Sequence, residues 1–87
     1  MKELDITITH PVGLHARPAA LFVQTASKYA SDVNITFDGN TKNAKSILSV
    51  LSMGICANSN IKITADGDDE DEVLKSLKAL IEDNFGE

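Results

Sequence analysis

Apolar and polar residues alternate in three short stretches of the chain and recur at helical spacing in three others. Leu4, Ile6 and Ile8 alternate with Asp5, Thr7 and Thr9, the pattern of a strand with one buried face. Pro11 and Gly13 break the run at His10–Leu14. Ala19, Phe22, Val23, Ala26 and Tyr29 then recur at helical spacing. Pro18 falls in the first turn, where a missing N–H costs little, so this helix starts at about His15 or Ala16. Val33, Ile35 and Phe37 make a second alternating strand. Asp38-Gly39-Asn40 reads as a hairpin turn, with a weak edge strand returning through Thr41 and Lys42. Ser46 stands at an N-cap position ahead of a short helix over Ile47–Met53, and Gly54 follows as its C′ residue. Ile61, Ile63 and Ala65 form the last strand. After the Asp66-Gly67-Asp68 turn, Val73, Leu74, Leu77, Leu80, Ile81 and Phe85 mark a long helix ending at Gly86. Asp69, Glu70, Asp71 and Glu72 sit at its positive end.

The order is βαββαβα, an α+β pattern that fits a two-layer sandwich with one sheet face covered and one wet. The hairpin and mixed connections favour an antiparallel sheet; periodicity does not give the strand order. The length of 87 residues suits one domain, 1–87, with a modest core. With aromatics at 5% and no Trp, that core must be built from Ile, Leu, Val and Ala. No apolar stretch approaches the roughly 20 residues of a membrane span, and residues 1–10 show no signal-peptide pattern. The single cysteine, Cys56, cannot form an internal disulfide, which points to the reducing cytoplasm. It reads as a small packing residue, buried or half-buried.

Net charge is −5, unevenly spread. Residues 66–87 hold nine acidic and two basic side chains; residues 1–65 hold four acidic and six basic. A nucleic-acid binder would show a basic patch with interleaved aromatics, and none exists here. The body is mildly positive around Arg17, Lys42, Lys45 and Lys62, which suits an acidic protein partner.

The chemistry-bearing run is Gly13-Leu14-His15-Ala16-Arg17-Pro18-Ala19-Ala20. A histidine at a helix start lies beside backbone N–H groups and a dipole that favour an anion. Arg17 adds a cation whose planar fork suits phosphate oxygens. A nucleophile, an anion cradle and a cation thus stand within three residues. A histidine in such a place is also often a plain cap or an exposed side chain, and the residues by themselves leave both readings open. His10 has no neighbouring cation and precedes Pro11, so it is not expected to act as a second nucleophile. No carboxylate pair, metal-ligand cluster, serine triad or Gly-rich phosphate loop can be assembled, and neither a metal nor a cofactor is expected.

His15-Ala16-Arg17-Pro18-Ala19 closely resembles the active-site signature of HPr, the phosphocarrier of the bacterial phosphoenolpyruvate:sugar phosphotransferase system. The stretches from Val23 to Tyr29 and from Lys45 to Ile55 resemble the same family at matching positions. The resemblance implies an open-faced βαββαβα sandwich with strand order 1-4-2-3 and three helices on one face. It implies that His15 accepts phosphate on Nδ1 from enzyme I and gives it to sugar-specific enzyme IIA domains, with Arg17 and the backbone of Ala16 and Arg17 holding the phosphate. Such a chain is a carrier with a covalent phosphohistidine intermediate, not an independent enzyme, and it is expected to be monomeric. Two positions depart from the family pattern. Val12 stands where a polar side chain is common, and Asn58 where glycine is usual; Asn tolerates a left-handed conformation, so that loop should survive.

The helix over Ile47–Met53 is too apolar for its length. Val50 and Met53 share a face, inward with Ile55, which leaves Ile47, Leu48 and Leu51 pointing elsewhere. They are either covered by a loop or form a docking patch; the resemblance implies docking. Ser46 reads first as a plain N-cap. The resemblance leans toward the low-GC Gram-positive type, in which this serine is phosphorylated by a bifunctional kinase/phosphorylase. The seryl-phosphorylated form there is a corepressor for a catabolite-control transcription factor. Two alternatives follow: a purely regulatory binding module, and a carrier in a nitrogen-related phosphotransfer chain.

Overall fold

Each alternating segment becomes a strand of one sheet, and each helical pattern a helix on its covered face. A computed structural model describes residues 1–11 and 13–86. Along the chain lie β1 (Lys2–Thr7), α1 (Ala16–Ser27), β2 (Asp32–Phe37), β3 (Asn40–Asn43), α2 (Ile47–Ser52), β4 (Asn60–Asp66) and α3 (Glu70–Glu82). The strands pair antiparallel in the order β1-β4-β2-β3, the order implied by the resemblance.

Register explains the core. Leu4 lies opposite Ile63, and Ile63 opposite Ile35, so one inward row crosses three strands. Ile6 opposes Ile61, and Ala65 opposes Val33. Phe22 and Ala26 of α1, Val50 of α2, and Val73, Leu77 and Ile81 of α3 bury themselves against this face. The other face is polar. There Asp5, Lys62, Thr36 and Thr41 stand in register, with the two threonine hydroxyls hydrogen-bonded at 2.8 Å. The hairpin between β2 and β3 turns through Asp38 (φ 53°) and Gly39 (φ 81°). Both lie in the left-handed region that a two-residue hairpin matched to strand twist requires.

The connection from α1 to β2 is tied to the start of α3. The Asp69 carboxylate accepts from the Ala30 N–H at 2.8 Å, from the Ser31 N–H at 2.9 Å, and from the Ser31 hydroxyl. These bonds, the hydroxyl first, hold the Asp69 carboxyl below its ordinary value of 3.8. The end of α3 corrects the sequence reading. The helix stops at Glu82, and Asn84 (φ 48°) and Phe85 (φ 57°) then turn left-handed within a 3₁₀ turn, Asn84–Gly86. That turn still buries Phe85, whose ring meets His10 edge-on at 5.8 Å between centroids.

Candidate functional site

The segment before α1 is clamped onto the segment after α2. Gly13 adopts φ +71°, and a β-carbon there would lie 2.7 Å from the Cys56 Cα and closer still to the Ile55 carbonyl oxygen. Only glycine fits both the conformation and the space. The Gly13 N–H donates to the His10 carbonyl, and the Leu14 N–H to the Ile55 carbonyl, each at 3.0 Å. Leu14 is buried. The same approach is stitched further along by Asn58 N–H to the Ile8 carbonyl at 2.6 Å and Ile8 N–H to the Ser59 carbonyl at 2.9 Å. Asn58 takes φ 67°, the left-handed conformation expected of it.

His15 is thereby delivered to the N-cap of α1. Its backbone is extended, its carbonyl accepts the Ala19 N–H at 2.8 Å, and its imidazole makes no capping bond. The ring is exposed. His15, Ala16 and Arg17 line one open cavity of about 760 Å³ together with Pro11, Cys56 and Ala57. The N–H groups of Ala16 and Arg17 belong to the first turn, where a helix offers them no acceptor of its own. Pro18 is buried in the same turn.

Ser46 caps α2 as expected. Its hydroxyl oxygen accepts the Ser49 N–H at 3.3 Å. Val50 and Ile55 are buried and Met53 half-buried, while Leu48 is 77% exposed, Leu51 38% and Ile47 37%. Leu48 is thus open to solvent, while Ile47 and Leu51 are partly covered.

The family model described as "PTS HPr component phosphorylation site" matches residues 2–83. The chain belongs to the HPr family. It is 44% identical to the phosphocarrier protein HPr of Mycoplasma genitalium over 85 residues, 97% of each chain. HPr-C-His from Thermoanaerobacter tengcongensis superimposes with a TM-score of 0.98 at 52% identity, covering 100% of this chain and 98% of that one. The phosphocarrier HPr of Bacillus anthracis gives 0.89 at 42%, covering 92% and 95%. Membership of the HPr family makes this chain a phosphocarrier of the phosphotransferase system.

Three sequence expectations change at the site. Cys56 is exposed rather than packed inside, lines the His15 cavity, and donates its thiol hydrogen to the Gly54 carbonyl at 3.3 Å. A small apolar residue suggested burial, but it lies just after a loop that ends buried at Ile55. The positive body is not one face. Lys62 stands on the polar sheet face beside Glu3 at 4.0 Å, and Lys45 donates to the Tyr29 carbonyl at 2.8 Å. Gly13 stands in the sequence as a breaker at the head of the chemistry-bearing run, and its close approach to Ile55 and Cys56 is a tertiary contact that no local pattern carries. His10 is 5% exposed, a packed side chain. The Val12 departure lies outside the described residues.

Proposed function

We propose that His15 is the phosphoryl acceptor, taking the group on Nδ1 from enzyme I and passing it to sugar-specific enzyme IIA domains in the cytoplasm, the chain working as a monomer. The observation that carries this reading is the exposed, uncapped imidazole of His15 at the helix start, sharing one open cavity with Arg17. In the acceptor step the Nδ1 lone pair forms the N–P bond while the bond from phosphorus to the donor atom of enzyme I breaks. Nδ1 must be unprotonated, with the proton on Nε2. The first-turn N–H groups of Ala16 and Arg17 and the Arg17 guanidinium receive the equatorial oxygens, where charge is concentrated during transfer. Donation to an enzyme IIA domain is the same step reversed. Ile47, Leu48 and Leu51 form the surface on which both partners dock.

A regulatory reading of Ser46 is favoured by its position. It stands at the edge of that apolar group, and its oxygen already faces the start of α2. A phosphoserine brings about −1.5 to −2 charges, which a docking partner would have to strip of water. The modifying enzyme is then a bifunctional kinase/phosphorylase, and the modified form serves a catabolite-control transcription factor.

The deciding test is His15→Ala with phosphoenolpyruvate and purified enzyme I. Loss of all acid-labile phosphate with an unchanged melting temperature is expected. Labelling of the variant at the wild-type level would overturn the assignment.

A further inference from the structure

The two edges of the sheet are built differently. β3 is four residues long and wholly polar and exposed, which blunts it against further pairing. β1 is six residues long, carries the half-buried Leu4 and Ile6, and contains neither proline nor glycine. Among the described residues no strand pairs with its outer side. Beside it lies a groove of about 560 Å³ lined by Leu4, Asp5, Ile6 and Thr7 of β1 and by Lys78 and Glu82 of α3.

Charge decides what fits this edge. Leu4 and Ile6 face the helices, so Glu3, Asp5 and Thr7 face the polar side. A second copy pairing antiparallel must place residues of one face opposite each other. Its longest registers set Glu3 opposite Asp5, or Asp5 opposite its own equivalent, and like charges directly opposite are destabilising. Lys62 of β4, beside Glu3 and opposite Asp5, offsets one of these two carboxylates, and Lys78 offsets Glu82 in the groove; one negative charge is left over at the edge, and a strand with basic side chains there meets attraction instead. We infer that the outer edge of β1 binds an extended, basic segment of another protein by antiparallel strand addition. Alternate apolar side chains of that segment lie over Leu4, Ile6 and the stem of Lys78, and its Lys or Arg side chains stand beside Glu3 and Asp5. Because α3 packs on β1 and β4 while α2 packs beside β3, this edge lies across the sheet from Leu48. A segment bound there leaves the α2 surface open, so the carrier can be tethered while it transfers.

The test titrates the isotope-labelled full chain with a six-residue peptide of alternating lysine and valine, blocked at both ends. Saturable amide shifts confined to residues 2–7, Lys78 and Glu82 are expected. Reversing both charges in Glu3→Lys/Asp5→Lys should weaken binding by about tenfold, as lost and inverted cross-strand pairs imply. Both positions are exposed, and a thermal melt checks the fold. The same peptide N-methylated at every amide keeps its charge but has no N–H left to donate to β1, and it should not bind the wild type. Equal binding of the methylated peptide, or shifts spread along the acidic residues 66–72, would show charge attraction alone and overturn the inference. So would concentration-dependent self-association through β1, or no binding at millimolar peptide.

Discussion

Replacing Gly13 by alanine tests whether the backbone clamp positions His15. The left-handed conformation at φ +71° costs an alanine about 1–2 kcal/mol. The new methyl also has nowhere to go. Reaching an ordinary contact of 3.4 Å from 2.7 Å at the Cys56 Cα requires the two segments to part by at least roughly 0.7 Å, and the closer Ile55 carbonyl requires more; overpacking of this kind costs about 1–3 kcal/mol. Together these give about 2–5 kcal/mol, less than most small domains have in reserve. The variant should therefore fold at 25 °C but melt about 10 °C or more lower. Because Leu14 N–H and the Ile55 carbonyl hold the histidine segment against the moving part, the imidazole should shift with it. Displacements near 1 Å can cost about 10²-fold in rate, so phosphoryl acceptance from enzyme I should fall by about tenfold or more at a temperature where the variant is fully folded. Stopped-flow transfer and a melting curve on the same sample provide the assay. A lowered melt with wild-type transfer would refute the positioning role; an unchanged melt would refute the clamp itself.

Leu48→Asp should leave the melting temperature unchanged, because the side chain is 77% exposed, yet weaken enzyme I binding by at least the 1.5–3 kcal/mol of one buried apolar side chain, about ten- to a hundredfold; equal affinity in an NMR titration would dismiss the patch. Ser46→Asp should keep the cap, since aspartate caps about as well as serine, and slow phosphoryl acceptance; Ser46→Ala should instead lose about 1 kcal/mol of stability and transfer normally. Asp69 carries a pH signature. Its carboxyl is depressed in the fold, so its contribution is present above the ordinary carboxylate range and is lost as pH falls through the folded value, below about pH 4. Melting temperatures of Asp69→Asn between pH 2 and 6 should fall less steeply on the acid side than those of the wild type; parallel curves would contradict the role of the Ser31 and Ala30 bonds.

Which of these features the sequence discloses follows from what periodicity encodes. Alternation assigns faces, so Leu4, Ile35 and Ile63 were legible as core. It says nothing of neighbours, and the strand order came only through the family likeness. Spacing from Ile81 to Phe85 fits one more helical turn, and the left-handed backbone at Asn84 and Phe85 leaves no trace in that spacing. The cap at Ser46 and the exposed Ile47, Leu48 and Leu51 were legible because a six-residue helix cannot bury so many apolar side chains. The exposure of Cys56 was not, since it depends on where the loop after Ile55 meets the segment at Gly13. The site splits likewise: His15 and Arg17 adjoin in sequence, whereas Cys56 and Ala57 reach the cavity only through tertiary contact.

The position of β4 between β1 and β2 also sets a timetable for biosynthesis. Until residues 60–66 leave the ribosome, the hairpin of β2 and β3 is the one strand pair of this sheet that can form. At roughly 5–20 residues per second, Lys2–Thr7 waits several seconds for the strand that will hold it. During that interval Leu4, Ile6 and Ile8 are exposed together on an unpaired segment. The nascent chain is thus open to chaperones and proteases at this segment until β4 emerges, and the four-stranded sheet closes only then.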